Sequence, residues 1–337
     1  MTNVNPWGQV PNTASPRSLK SKPSVADFAF RSAVRSAGGI TVGIMLAVGL
    51  FLSLNATDAI SKAGFNFLTE TQWSPETGKF GIAAVLFGTI TIALVALCVS
   101  FPLAFGSSLL ISEVVPPKIR GSLISLVDLM AAVPSVIFGL WGVFFLQANI
   151  IPVSMWLSKN VGWLIPVFDV TDPDTGAQLT DASAFTSSAL IAGIVVGLMV
   201  VPTQTSVMRE AFSQAPLGER EGALALGSTR WGMIRAVVLP FGKGGIIGGT
   251  MLGLGRALGE TIAVYMIISP IFEINWQLLK TGTNSVSALI ALRYGEASSF
   301  SLSALMAAGL VLFLITLVIN FSASTIVARS RSGAESN

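Results

Sequence analysis

The sequence predicts an all-α, polytopic membrane protein with six transmembrane helices. Three observations carry that expectation. Of the 337 residues, 52% are hydrophobic and only 11% are charged, about half the charged share of an ordinary soluble domain. The apolar residues gather into six runs, each able to supply the roughly 20 helical residues that cross a bilayer core of about 30 Å. Lysine and arginine are shared unevenly between the connecting segments, an asymmetry that sets orientation across a membrane. A mean hydropathy of +0.73 agrees with all three.

Taken in order, residues 1–36 form a polar, basic leader with Pro6, Pro11, Pro16 and Pro23. It is expected to be a mobile tail ending in a short interfacial helix near Val25–Ser36, with no cleavable signal. The transmembrane domain covers 37–328, with spans expected at Gly38–Asn55, Phe80–Ile111, Gly121–Gln147, Thr186–Met208, Gly244–Pro270 and Ser301–Ala328. The second run is over-long, and Pro102 is expected to kink it. Between the third and fourth spans, Ile150–Phe168 is apolar but interrupted by Pro152 and Pro166, so it is expected to lie along the outer interface with Trp156 and Trp163. The Asp172–Gly176 stretch that follows lacks the spacing and closing Glu of a calcium loop and reads as a turn. Residues 212–243 form a polar, basic loop, and 329–337 a terminal tail. Fourteen of the Lys and Arg residues fall on the side of the N-terminus and five on the other, with Arg256 inside a span. Both termini and the 212–243 loop are therefore expected in the cytoplasm.

Several function classes are excluded. The chain has no His and a single Cys, Cys98, inside an apolar run, so no metal cluster, intramolecular disulfide or His-based catalysis is expected. Phe241-Gly242-Lys243-Gly244 lacks the leading Gly and the Ser or Thr of a phosphate-cradling loop, so this chain is not expected to bind ATP. The pI of about 9.2 invites a nucleic-acid reading. The basic residues sit at loop edges instead, which is a topology signal. An enzyme is not expected.

The ionisable groups within the expected spans are Asp128, Arg256 and Glu260, and each costs several kcal/mol unless paired or solvated. Arg256 lies twelve residues past Gly244, about 18 Å along a helix axis and so near mid-membrane. Glu260 follows at i+4 and would share its face. One reading makes them an internal ion pair that only lowers the cost of burial. The other makes Arg256 the grip for a tetrahedral oxyanion, since a guanidinium binds bidentately and keeps its charge. Seven glycines from Gly244 to Gly259 would let helices or a ligand approach this backbone closely. Asp128 either pairs with Arg256 or shapes the pathway, or else reaches water near the cytoplasmic end. Arg209 and Glu210 read as interfacial anchors.

The loop carries a more specific signal. Glu221-Gly222-Ala223, Gly227 six residues after the Glu, and Leu239-Pro240 resemble the EAA loop of ABC importer permeases. Gly227 suits a left-handed turn between two helical segments, and Pro240 the first residue of the next helix. Gly222 in place of the usual Ala, and Val237 in place of Ile, are mild departures. The resemblance implies a type I importer fold and docking of this loop into a groove on a separate ATPase subunit.

Two further segments, GGTMLGLGRALGETIAV at 248–264 and LVDLMAAVPSVIFGLWG at 126–142, look like the permease subunits of the bacterial phosphate-specific ABC transporter, PstC type, over most of Phe80–Ala328. That resemblance implies a homologous PstA-type permease, two copies of an ATP-binding subunit holding ATP and magnesium, and a periplasmic or lipid-anchored phosphate-binding protein as partners. It also implies that Arg256 and Glu260 act in phosphate passage. A secondary anion transporter or channel, and an ABC permease for sulfate or molybdate, stay open as alternatives.

Overall fold

The computed structural model describes residues 25–172 and 175–332, with side chains to 325 apart from Ala323. The proline-rich part of the leader and the last residues of the tail lie outside the described residues. By their contacts, residues 1–50 and 51–337 form separate units, and everything that bears on function belongs to the second.

Six helices among the described residues are long and apolar enough to cross a membrane. Helix α1 is Val25–Asn55, α2 is Ala83–Val114, α4 is Ser135–Val161, α5 is Ala189–Ser213, α7 is Arg230–Leu258, and α10 starts at Ser299 and is helical to Ser332. Shorter helices stand between them: α3 (Pro117–Ala132), α6 (Leu217–Ala225), α8 (Ile262–Ile267) and α9 (Val286–Arg293). The helix expected at Val25–Ser36 is present, but it runs without a break into the first span. Pro102 sits inside α2 without interrupting it.

Two expected spans are redrawn. The third begins at Ser135, not Gly121. Val133 and Pro134 are extended, with ψ of 127° and 142°, because a proline drives the residue before it out of the helical region. The preceding stretch is the separate helix α3, which has no buried residue. At its other end α4 continues to Val161, so the first part of the segment expected on the outer interface is helix continuous with α4 and accommodates Pro152. The fifth span begins fourteen residues earlier than expected, at Arg230, and stops at Leu258 rather than Pro270. A break at Gly259–Thr261 separates it from α8.

The core is built by α2, α5 and α7. Ile92, Ala93 and Ala96 of α2 pack with Val195, Val196, Met199 and Val200 of α5, and with Ala257 and Leu258 of α7. Small residues let the backbones close in. A Cβ on Gly197 would stand 2.9 Å from the Ala96 carbonyl, and one on Gly253 would stand 2.7 Å from Val200 Cγ1. Gly245 and Gly249, each four residues apart on the same stripe of α7, face Ala211 and Met208 of α5. This is small-residue packing of the kind that membrane helices use in place of a hydrophobic driving force. Much of the glycine cluster seen in the sequence is thereby assigned to helix contact.

A second cluster, with Phe67, Phe80, Ile82, Val286, Leu289 and Leu305, closes the end opposite the 212–243 loop. There Trp73–Ser74 pairs with Lys79–Phe80 as a short antiparallel hairpin. Ser298 and Ser301 donate hydrogen bonds of 2.8 and 3.0 Å to Glu76, which holds its carboxyl below the ordinary range. A third cluster, with Met208, Phe212, Met233, Ile234 and Val238, supports the loop-bearing end.

Candidate functional site

The 212–243 loop is a helix–turn–helix. Helix α6 carries Glu221, Gly222 and Ala223, and Gly227 makes the turn with φ of +86°, a backbone region that costs an L side chain about 1–2 kcal/mol. Thr229 then caps α7, its hydroxyl accepting from Gly232 N at 3.1 Å. Ala223 packs on the cluster beneath, whereas Glu221, Gly222 and Gly227 are exposed. Three apolar side chains that the sequence reading passed over stand out of the same surface: Leu217, Leu226 and Trp231, which are 69%, 90% and 60% exposed.

Leu239 and Pro240 do not start a new helix, because α7 is already under way at Arg230. A π turn at Ile234–Val238 precedes them, and Leu239 N bonds back five residues to Ile234 O. The ladder is already shifted at the point where Pro240 supplies no donor, so the helix carries on.

The break at Gly259–Thr261 defines the second site. Arg256 lies in the last turn of α7, where a cation is favoured by the exposed carbonyls of the helix end. It is exposed on this chain, and its Nη1 donates to Thr203 Oγ1 of α5 at 3.0 Å. Glu260 does not share its face, because the helix has ended. Its Oε1 instead accepts from Ala263 N at 3.2 Å in the first turn of α8, where a carboxylate is favoured. Its carbonyl accepts from Ser287 Oγ of α9 at 2.7 Å. Among the described residues Arg256 forms no ion pair, so the internal-pair reading is corrected: each charge serves a different helix end. Asp128 lies on α3, which is not one of the six membrane-length helices, and is exposed. Among the described residues no hydrogen bond or ion pair joins it to Arg256.

Arg209 and Glu210 line an open cleft of about 500 Å³ at the loop-bearing end, together with Gly244, Gly245 and Gly248. Thr203 escaped the sequence reading because a single Thr in an apolar run carries no pattern. Glu113 and Arg220 escaped it too, the first lying just past the expected second span and the second as one more basic residue of the loop. In the fold they form an ion pair at 3.0 Å.

Six membrane-length helices, a polar helix–turn–helix exposed at one end and, at the end of α7, an arginine with no ion pair among the described residues are the features of a membrane transport subunit. The chain belongs to the family of binding-protein-dependent transport system inner membrane components, which matches residues 101–332. It is thus a multi-pass protein of the bacterial inner membrane. The chain is 36% identical over 315 residues to the phosphate transport system permease protein PstC of Mycobacterium leprae (strain TN), covering 92% of this chain and 94% of that one. It is 34% identical over 308 residues to PstC 2 of Mycobacterium tuberculosis (strain ATCC 25618 / H37Rv), covering 90% and 92%.

Solved structures share the fold at lower identity. An inward-facing MetNI methionine ABC transporter matches with a TM-score of 0.51 at 14% identity, covering 74% of this chain and 95% of that one. A bacterial ABC transporter involved in import of the acidic polysaccharide alginate matches with a TM-score of 0.51 at 16% identity, covering 89% and 99%. The type I importer permease fold expected from the sequence is the fold found.

Proposed function

We propose that this chain is a permease subunit of an ATP-driven phosphate importer and forms half of its translocation pathway. The observation that carries this reading is Arg256. It is exposed at the end of α7, held by a neutral hydroxyl, and among the described residues no carboxylate pairs with its guanidinium. An arginine so placed can present a fork of donors to a tetrahedral oxyanion. The choice of phosphate over sulfate or molybdate rests on the names of the PstC relatives.

In this reading both termini are cytoplasmic, and the helix–turn–helix docks on one of two ATP-binding subunits, which hold the ATP and magnesium. This chain binds no cofactor and catalyses no reaction. A homologous PstA-type permease completes the pathway, and a periplasmic or lipid-anchored phosphate-binding protein delivers the substrate. ATP-driven closure moves α6 and opens the path inward, so phosphate passes Arg256 as access alternates. Glu260 shapes the site by fixing the start of α8, not by orienting Arg256. Asp128, on α3, helps shape the same pathway in this reading.

The test is phosphate uptake by the complex reconstituted in vesicles, with sulfate and molybdate as competitors. Uptake that needs ATP and the binding protein, and that phosphate alone saturates, supports the proposal. ATP-independent uptake would favour a secondary transporter or channel, and competition by sulfate a permease for another oxyanion.

A further inference from the structure

Glu113 lies in the π turn Leu110–Val114 that ends α2, and its side chain is 4% exposed. Arg220 lies on α6, next to Glu221 at the surface expected to dock. Its Nη1 donates to both Glu113 carboxylate oxygens, at 3.0 and 3.1 Å, and its Nη2 donates to the carbonyl of Phe212 in the last turn of α5. One planar guanidinium therefore joins three helices. Arg120 of α3 fastens the same turn from another side, donating to the carbonyls of Ser112 and Val115 at 2.8 and 3.4 Å.

Stability alone is a weak account of this pair. Two charges taken out of water repay little, and apolar residues of like size often serve as well or better. What a planar guanidinium holding two partners through two different nitrogens supplies beyond them is fixed geometry. Geometry is needed here, because only Gln214, Ala215 and Pro216 connect α5 to α6. That short linker alone would let α6 pivot.

We propose that the Glu113–Arg220 pair is a strut that makes α6 move together with the ends of α2 and α5. A push on α6 is then delivered to the membrane helices instead of being lost in the linker. Glu113 and Arg220 are positioning residues, and the inference rests on the reading of 212–243 as an ATPase-docking loop.

The test uses the whole reconstituted complex and reads phosphate taken up per ATP hydrolysed. Arg220→Met and Glu113→Ala should each lower that ratio about tenfold while hydrolysis persists, the scale of one charged hydrogen-bond contact. The double variant should be no worse than the worse single one, since both remove the same contact. Arg220→Lys should keep more of the ratio than Arg220→Met. Each single variant that strips one charge leaves the other buried and can fail to assemble. The double leaves neither, so it carries the test in that event. A wild-type ratio in the double variant, or losses that multiply, would overturn the strut while leaving docking intact. A wild-type complex that holds no ATPase would remove the docking reading and the strut together.

Discussion

The loop-bearing end and the break after α7 each hold an arginine, and the two are treated in opposite ways. Arg220 is clamped between a carboxylate and a carbonyl, and its pair is nearly closed to solvent. Arg256 is exposed, with a single neutral side-chain partner among the described residues. A membrane protein tolerates an ionisable group only if it is satisfied internally or faces water or a cavity. Arg220 takes the first course and becomes a joint. Arg256 takes the second and keeps most of its donors free for something that arrives.

That contrast can be broken most decisively at Arg256. Arg256→Gln should lower phosphate uptake by about a hundredfold, the upper range for losing charge-assisted hydrogen bonds. Subunit assembly, followed by co-purification, should be intact. Full uptake would place Arg256 with Arg220, as a structural group. The next largest effect is expected at the loop. Gly227→Val forces a β-branched residue to φ of +86°, at a cost of about 1–2 kcal/mol or more. ATPase retained on the purified complex should fall about tenfold, the equivalent of that cost, and normal retention would mean that the turn does not set the docking surface.

Thr203→Val sharpens the comparison instead of breaking it. It removes the one hydroxyl that aims Arg256 and should reduce uptake by about three- to tenfold, the worth of one hydrogen bond. A larger loss would show Thr203 itself contacting substrate. The smallest effect is expected at Glu260→Gln. The amide oxygen can still accept from Ala263 N, so only the interaction of charge with the α8 terminus is lost, about 0.3–1 kcal/mol. A fall in uptake beyond about fivefold would mean that the negative charge acts on the substrate path directly.

The membrane class, the helix–turn–helix and the turn at Gly227 were legible because each leaves a local pattern: apolar runs, a polar interruption, a glycine at a left-handed position. The limits of the spans were less so. Pro134 breaks a helix and Pro152 does not, a difference that apolar content does not reveal. The i+4 pairing of Arg256 and Glu260 failed for a related reason. Gly259 ends the helix between them, and in so glycine-rich a stretch nothing local marks which glycine will do so. Glu113 and Arg220 stand 107 positions apart, a distance that only the fold can close.

The glycine stripe of α7 has a mechanical consequence. Where α5 and α7 meet at Gly245, Gly249 and Gly253, α7 offers no side chain of its own, and Ala211, Met208 and Gln204 of α5 lie directly against its bare backbone. Gln204 of α5 is fully buried and packs against Gly253. Helices this close cannot slide past one another without first separating. In the alternating-access cycle proposed above, α5 and α7 are expected to move together as a single rigid body, with the gap opening along the faces this chain leaves bare.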